Sequence, residues 1–395
     1  MHIGIKNNPN EPSCEYVQLY SWHFPVNIFV LLYSTIIIMK TKKIKDSIFI
    51  AKKRFQTKKR YNKHPLYHQK PVPPPNKHIN ITSNVPNKKI KIMNCSPVMN
   101  AKRATNNTCY NKDILLKIRD EYNNNHPNNE HITASDPNHV WNELKNRLNC
   151  SSEDCWLKEL KDENLRNKID KYVFSPDSPP DWKSNPNEWL SNFDILDVLS
   201  QYQDAYSNFH FIGPTPIDFD TRLKKRNNTC VDTTLCNINL HNEMKNNKNK
   251  IGIIFNLDKH DEKGSHWVSM FIDLEDKFIF YFDSAGDSIP KEIRILKNRL
   301  IRQAKKLTPS LKLTYKHNYN VEHQLENTEC GVYSLFFIIT MLTGDCKCKN
   351  LDKHENIKDR NNMNLNDKME LFQKGRIPDN YIERYRKIYF NPLSE

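Results

Sequence analysis

Short runs of apolar residues dominate the last third of the chain. Three of them are rich in β-branched and aromatic residues: IGIIFNLD (251–258), HWVSMFIDL (266–274) and KFIFYFDS (277–284). The polar segments DEKGS and EDK separate them. This pattern predicts adjacent strands of a well-buried sheet.

Helical and strand patterns also occur on either side of these runs. NEWLSNFDILDVLSQYQDAY (187–206) predicts a helix whose N-cap is Asn192 or Asp194. IPKEIRILKNRLIRQAKKL (289–307) has the spacing of an amphipathic helix with a proline near its start. LKLTYKHNY (311–319) predicts another strand.

A helical pattern occupies the middle of the chain. Apolar residues recur at helical spacing and leave charged residues between them, which predicts a small helical subdomain. The Pro-rich segment SPDSPPDW (175–182) closes it. The predicted helical segments are NKDILLKIRDEYNNNH (111–126), ASDPNHVWNELKNRLN (134–149), CWLKELKD (155–162) and LRNKIDKYVF (165–174).

An apolar run of 14 residues, VNIFVLLYSTIIIM (26–39), lies near the start of the chain. A membrane-spanning helix needs about 20 such residues, so no firm span is predicted. The run is either a signal anchor or sequence upstream of a translation start at Met39, and we favour the second interpretation.

The net charge of +14 belongs to one segment. Residues 40–103 hold 18 Lys or Arg against one Asp, a net charge of +17, which leaves −3 for the rest of the chain. With few apolar anchors the segment cannot offset the entropy of ordering, so we predict a disordered basic arm. It either binds nucleic acid or an anionic surface, or serves as a solvated linker.

The ten cysteines lack the dense, regular spacing of a secreted disulfide scaffold, and no CxxC pair exists. A reduced intracellular setting follows. Two close pairs, Cys150 with Cys155 and Cys346 with Cys348, lack a further pair or histidine at zinc spacing. We therefore interpret them as structural thiols and predict no metal site.

One cysteine stands in a setting that favours chemistry. Cys330 and Gly331 precede the nearly continuous apolar run VYSLFFIITML, which predicts a buried helix with Cys330 at its amino end. The unpaired N–H groups and the dipole at that end favour a thiolate, which is the nucleophilic form. Gly331 would let a substrate carbonyl approach the backbone closely.

A thiolate nucleophile needs an imidazole, and the imidazole needs a group that orients it. His266 directly precedes one predicted strand, and Asp283 ends the next. The staggered ends of these two strands allow the two side chains to meet. The residues alone leave open a packed cysteine, a surface histidine and an ordinary turn aspartate.

The order of these motifs resembles the Ulp1-type cysteine proteases. The strings that carry the likeness are GSHWVSMFIDLEDKFIFYFDSAGDSIP and HQLENTECGVYSLFFI. The likeness is greatest to the polyprotein-processing proteases of large cytoplasmic DNA viruses such as African swine fever virus. It covers roughly residues 104–395 and is strong from about 250 to 340.

The resemblance implies roles for individual residues. Cys330 would be the nucleophile, His266 its general base and acid, and Asp283 the residue that orients the imidazole. Gln324 would line the oxyanion hole together with the Cys330 backbone N–H. Asn327 is the runner-up donor.

Two tryptophans match the aromatic pair that forms a narrow tunnel over a Gly-Gly tail in this family. Trp267 and Trp189 would leave room only for residues without side chains. Either could instead be an ordinary core tryptophan, but for Trp267, which lies beside the presumed base, we favour the site. The segment WLSN departs from the WLND of the SUMO proteases at Asn192, which weakens any specific link to SUMO.

The resemblance also implies an α+β fold with a papain-like core, in which helices flank a central mixed β-sheet. The predicted organisation is an apolar segment and basic arm (1–103), a helical subdomain (104–185) and a protease domain (186–395). No cofactor is implied. The expected location is intracellular, with the host cytoplasm and the virion following if the protein is viral.

The expected function is a cysteine endopeptidase that cleaves after Gly-Gly-Xaa sites, maturing a viral polyprotein precursor. Two alternatives stay open. The enzyme could remove a SUMO-like or ubiquitin-like modifier. The chain could instead be a nucleic-acid-associated structural protein, with its basic arm and an inactive protease-like scaffold.

Overall fold

A five-stranded mixed sheet forms the centre of the part of the chain that the structure describes. This computed structural model describes residues 89–224, 227–346 and 362–393. The apolar run before Met39 lies outside them; within them, no helix is long and apolar enough to cross a membrane. The strands are β1 (Phe209–Pro216), β2 (Arg222–Leu223), β3 (Thr229–Cys230), β4 (Lys250–Asn256), β5 (Trp267–Asp273), β6 (Phe278–Phe282) and β7 (Thr314–His317).

The sheet confirms the three adjacent strands predicted from the apolar runs. Its order is β1-β4-β5-β6-β7, with antiparallel pairing from β4 to β6 and parallel pairing at both edges. Every residue of β5 and β6 is buried, which explains why their sequences show no alternation. The strand predicted over 311–319 is the shorter β7.

The helices also follow the apolar pattern. Asn-, Asp- or Ser-capped starts precede most of the longer ones. They are α1 (Lys112–Asn125), α2 (Pro137–Arg147), α3 (Glu163–Val173), α4 (Asn192–Ala205), α5 (Thr233–Cys236), α6 (Leu240–Lys245), α7 (Lys291–Lys305), α8 (Cys330–Thr343), α9 (Leu365–Gln373) and α10 (Asp379–Tyr389).

Helices cover both faces of the sheet. On one face, α8 packs with α4 and α10 against Phe271, Phe280 and Phe282. On the other, the apolar side of α7 packs against Met270 and Ile279. This arrangement is the predicted α+β fold, a mixed sheet flanked by helices, with α8 buried along nearly its whole length.

Helices α1, α2 and α3 share a separate core. Tyr110 and Trp156 lie fully buried among their apolar residues, with ring centroids 6.1 Å apart. The helical segments predicted over 111–126, 134–149 and 165–174 are thus present. CWLKELKD forms a 3-10 helix over Asp154–Glu159. The division into domains at 104 and 186 stays a prediction.

The expectation of a disordered arm is wrong for residues 89–103. Met93 and Met99 are buried, and the backbone of Ser96 bonds to that of Val173. Asn94 also exchanges hydrogen bonds with Asn391. Two buried methionines and hydrogen bonds to residues far away in sequence therefore order this stretch despite its positive charge. Residues 40–88 lie outside the described residues.

Among the described residues, three disulfides correct the interpretation of these cysteines as thiols. They join Cys95 to Cys109, Cys150 to Cys155 and Cys230 to Cys236. Sequence spacing missed them because each pair is brought together by the local fold rather than by a regular scaffold. Cys346 is buried, with its sulfur 2.6 Å from the Tyr381 hydroxyl. Cys348 is not among the described residues, so the interpretation of this pair as structural thiols stays a prediction.

The N-cap of α4 is Ser191 rather than Asn192 or Asp194. The Ser191 hydroxyl accepts from the Asp194 N–H, and the Asp194 carboxylate accepts from the Ser191 N–H. This reciprocal capping box fixes the start of α4. Trp189 and Leu190 directly precede this cap.

Candidate active site

The candidate nucleophile is the first residue of a buried helix. Cys330 begins α8, directly after the N-cap residue Glu329, as the apolar pattern predicts. Its side chain is buried. The unpaired N–H groups and the dipole at a helix amino end favour an ionised sulfur at this position.

Antiparallel pairing brings His266 and Asp283 to one edge of the sheet. His266 directly precedes β5, Asp283 directly follows β6, and the register pairs Ser269 with Phe282. The start of one strand and the end of its antiparallel neighbour share an edge. The expected contact is present, with 2.7 Å between His266 Nε2 and Asp283 Oδ1. The register, rather than staggered strand lengths, produces it.

The imidazole of His266 lies between a carboxylate and a thiol. Its Nε2 bonds to Asp283, and the Cys330 thiol is close enough to interact with it electrostatically. Burial alone lowers the pKa of His266. The hydrogen bonds and charges of Asp283 and Cys330 outweigh burial and raise this pKa from 6.5 to about 10. The imidazole is therefore held as a cation beside the Cys330 sulfur.

Hydrogen bonds on several sides orient Asp283. Its Oδ1 accepts from the Ala285 N–H at 2.9 Å, and the Tyr281 hydroxyl donates to Oδ2 at 3.4 Å. Asn318 accepts from the Asp283 N–H at 3.0 Å and donates to its carbonyl at 2.6 Å. Sequence reasoning missed Asn318, because a polar residue after a strand looks like any loop residue.

A second histidine near the cysteine in sequence is unsuited to act as a base. His323 is fully buried; its Nδ1 accepts from the Ile377 N–H at 3.0 Å, and its Nε2 faces the Phe372 carbonyl at 3.1 Å. Burial lowers the pKa of His323 to about 4. It is a neutral structural residue, so the imidazole available to Cys330 is that of His266.

The Gln324 side chain is held by the turn that carries Asp283. Ser284 Oγ donates to Gln324 Oε1 at 2.7 Å, and Gln324 Nε2 donates to the Glu326 carbonyl. A primary amide has two N–H groups, so one remains for an oxyanion. Asn327 is exposed on the same loop. The oxyanion role of either residue stays a prediction.

We expect Gln324→Ala to lower kcat by about 10²–10³ with little change in KM, because an oxyanion donor acts mainly in the transition state. Steady-state cleavage of a peptide measures both constants. Asn327→Ala is the matched control on the same loop. A greater loss of kcat in Asn327→Ala than in Gln324→Ala would assign the donor role to Asn327 instead.

Trp267 and Leu190 pack beside the first turn of α8. Trp267 is 8% exposed, and its Nε1 donates to the Leu190 carbonyl at 3.2 Å. A Cβ on Gly331 would lie 3.1 Å from Leu190 Cβ and 3.4 Å from Trp267 Cδ1. The missing side chain of Gly331 makes room for these two residues. The role of Gly331 in admitting a substrate carbonyl stays a prediction.

Trp189 lies at the surface, unlike Trp267. It is 40% exposed and directly precedes the buried Leu190. Phe193 and Leu196, at 43% and 40% exposed, follow at helical spacing on α4. An exposed apolar surface therefore begins at the residue next to the site. The tunnel predicted between Trp189 and Trp267 stays a prediction.

A thiol at a helix amino end, paired with a carboxylate-oriented imidazolium on a mixed sheet, defines the chemistry of a cysteine peptidase. Residues 199–375 match the C-terminal catalytic domain of the Ulp1 protease family. A protein of Acanthamoeba polyphaga mimivirus that is named as a thiol protease is 32% identical over 265 residues, which are 61% of this chain and 82% of that protein. The chain therefore belongs to the Ulp1 family of cysteine peptidases, and its partner is a protein substrate.

Other similar proteins are also viral. A cysteine protease of African swine fever virus is 28% identical over 232 residues, which are 53% of this chain and 82% of that protein. A crystal structure of an African swine fever virus protease has a TM-score of 0.50, with 20% identity over 77% of this chain and 98% of that chain. At this identity the structural likeness shows the fold alone.

Proposed function

We propose that the chain is an endopeptidase that cleaves a protein precursor after Gly-Gly-type sequences through a thioester. The hydrogen bond of Asp283 to His266, together with the interaction of that imidazole with Cys330, carries this proposal. The buried carboxylate holds the imidazolium, and the imidazolium stabilises the thiolate. These three side chains supply a nucleophile, an acid and a base at one edge of the sheet.

Acylation is the first step. The Cys330 thiolate attacks the glycyl carbonyl carbon, and the resulting oxyanion is stabilised by the Cys330 N–H and the free N–H of Gln324, each worth about 3 kcal/mol. The C–N bond then breaks as the His266 imidazolium gives its proton to the leaving amine. The products are a thioester on Cys330 and a free amino terminus.

Deacylation restores the enzyme. Neutral His266 removes a proton from a water molecule, whose oxygen attacks the thioester carbonyl. The C–S bond breaks, which releases the carboxylate product and regenerates the Cys330 thiolate beside the imidazolium. Asp283 keeps Nδ1 of His266 directed at the sulfur through both steps.

The selection of glycine rests on the aromatic residues near the nucleophile. Trp267 and Leu190 fill the space beside the first turn of α8, and Trp189 directly precedes Leu190. Bulky side chains at such a position exclude substrate residues that carry a Cβ. A Gly-Gly segment fits because it brings only backbone.

A peptide panel tests this specificity. We expect a Gly-Gly-Xaa peptide to be cleaved about 10–200-fold faster than matched peptides with alanine at either glycine, because each added methyl group must displace packed side chains. The product termini are identified by mass spectrometry, with Cys330→Ala as the background control. Equal rates for the glycine and alanine peptides would refute glycine selection, and equal turnover by wild type and Cys330→Ala would refute the mechanism.

Removal of a ubiquitin-like modifier is the second candidate function. It is favoured by relatives in African swine fever virus that are named as SUMO-1 cysteine proteases. The chemistry would be the same, with an isopeptide bond as the target. Incubation with SUMO and ubiquitin adducts, beside a precursor with Gly-Gly-Xaa sites, separates the two functions.

The proposal extends to location and to a further partner. Viral relatives support action in the host cytoplasm and in the virion. The basic residues of segment 40–103 support contact with nucleic acid or an anionic surface, in addition to proteolysis. Salt-sensitive DNA binding that is lost when residues 40–88 are deleted would support this contact.

A further inference from the structure

Arg386 is a buried cation close to the nucleophile. It lies on α10, is 4% exposed and falls outside residues 199–375, the part of the chain that matches the family model. Arginine is rarely buried unless its N–H groups are paired. Its contacts reach two segments that are far apart in sequence.

The first segment is the loop that ends at Cys330. Arg386 Nε donates to both carboxylate oxygens of Glu329, at 3.0 and 2.9 Å. Its Nη2 lies 2.8 Å from Glu329 Oε1 and donates to the Thr328 carbonyl at 3.0 Å. The two residues before the nucleophile are thus held by one guanidinium.

The second segment is the one that leads to Trp189. Arg386 Nη1 donates to the Glu188 carbonyl at 2.7 Å and to the Pro186 carbonyl at 3.3 Å. The guanidinium carbon lies 4.6 Å from the centre of the Trp182 ring. The Trp182 Nε1 also donates to the Glu188 carbonyl, at 2.9 Å. One planar group therefore joins both segments.

Arg386 also balances a charge beside the sulfur. Glu329 directly precedes Cys330, makes no side-chain capping bond to α8 and is 2% exposed. A carboxylate at a helix amino end next to a thiolate would disfavour the ionised sulfur through like-charge repulsion. Burial raises the pKa of Glu329, while the hydrogen bonds with Arg386 favour its charged form.

We propose that Arg386 is a positioning residue that holds the Cys330 loop against the segment carrying Trp189 and neutralises Glu329 beside the nucleophile. The proposal rests on the proposed role of Cys330. It places a determinant of catalysis outside the matched family region. Lysine cannot replace it, because an ammonium ion lacks the planar fork that reaches four acceptor groups at once.

The first test is Arg386→Lys, which keeps a cation near Glu329. We expect kcat to fall about 10²-fold, because a small displacement of a reacting group costs this much, and KM to rise as the Trp189 segment loosens. Alkylation of Cys330 by iodoacetamide needs no substrate. The pH dependence of its rate should shift to higher pH in Arg386→Lys. Lys387→Met, an exposed change one residue along the same helix, is the matched control.

A double variant keeps the test valid if Arg386→Lys fails to fold. Arg386→Met with Glu329→Met removes both buried charges, which is often tolerated when the replacements are apolar and similar in size. We expect it to fold cooperatively but to keep the low kcat, since the carbonyls of Glu188 and Thr328 lose the guanidinium that joins them. Recovery of kcat and KM to within about twofold of wild type would overturn the positioning role.

A purely structural role predicts a different result. Activity would then follow the folded fraction measured by circular dichroism, with an unchanged pH dependence of alkylation, and this outcome also overturns the proposal. Failure of the proposed function is distinguishable, because wild type itself would then not cleave the peptides. The alkylation profiles of wild type and Arg386→Lys would still report on positioning.

Discussion

Cys330→Ala is expected to lower kcat by about 10⁶-fold, to the level set by the remaining binding groups. Alanine removes the only atom that can form the thioester, while His266 and Asp283 keep their contact. The folded structure should persist, because the change deletes one sulfur atom at the start of α8. Peptide cleavage followed by chromatography over long incubation measures the residual rate.

Cys346→Ser is the matched control for this loss. Cys346 is also a buried cysteine, and serine keeps a polar atom for the Tyr381 hydroxyl, so activity should stay near wild type. In the native enzyme, iodoacetamide should label Cys330 faster than Cys346, with sites assigned by mass spectrometry. Faster labelling of Cys346, or full activity in Cys330→Ala, would contradict the assignment of the nucleophile.

Asp283→Asn is expected to lower kcat by about 10⁴-fold with little change in volume. Asp283 is 1% exposed and supplies both a charge and an acceptor to His266 Nε2. An amide carries no charge, and it can present an N–H to the ring and favour the wrong tautomer. Asp287→Asn, on the exposed part of the same loop, is the matched control and should be near neutral.

The pH profile of kcat/KM provides a second test of the role of Asp283. The pKa of His266 is raised to about 10, so wild-type kcat/KM should fall only as pH approaches 10, where the leaving amine loses its acid. In Asp283→Asn, the carboxylate no longer offsets the effect of burial, so the pKa of His266 should be lower. The alkaline limb of the pH profile should therefore move to lower pH. An unchanged alkaline limb in Asp283→Asn would show that Asp283 does not hold the imidazolium.

The free energy of unfolding should also depend on the ionisation of His266. Because the folded pKa lies above the ordinary value of 6.5, the contribution of His266 to stability is fully present below about pH 6.5 and is lost as pH rises through about 10. Urea unfolding at several pH values measures it. Asp283→Asn should flatten this part of the profile, whereas Asp287→Asn should not.

Local pattern was sufficient for most elements that position the site. The strands β4, β5 and β6 are continuous apolar runs between polar breaks, and α8 is an apolar run with a cysteine at its start. Continuous apolar runs must be buried, and their length separates the strands of 5 to 7 residues from the helix of 14 residues. The contact of His266 with Asp283 then follows from the antiparallel register.

The local sequence pattern gave a wrong prediction where contacts with distant residues order a segment. The stretch 89–103 is basic and was expected to be disordered, but Met93, Met99 and the bonds of Asn94 to Asn391 hold it in place. Composition reports the average tendency of a segment and contains no information about a partner some 300 residues away.

By itself, the sequence determined which residues could perform the chemistry and on which elements they lie. Cys330, His266 and Asp283 each occupy the end of an element that its own apolar pattern defines. Only the tertiary structure decided what surrounds them: the neutral His323, the Leu190 packing on Gly331 and the Arg386 bond to Glu329. Periodicity arises from neighbours along the chain, whereas charge balance and side-chain packing depend on groups that meet only after folding.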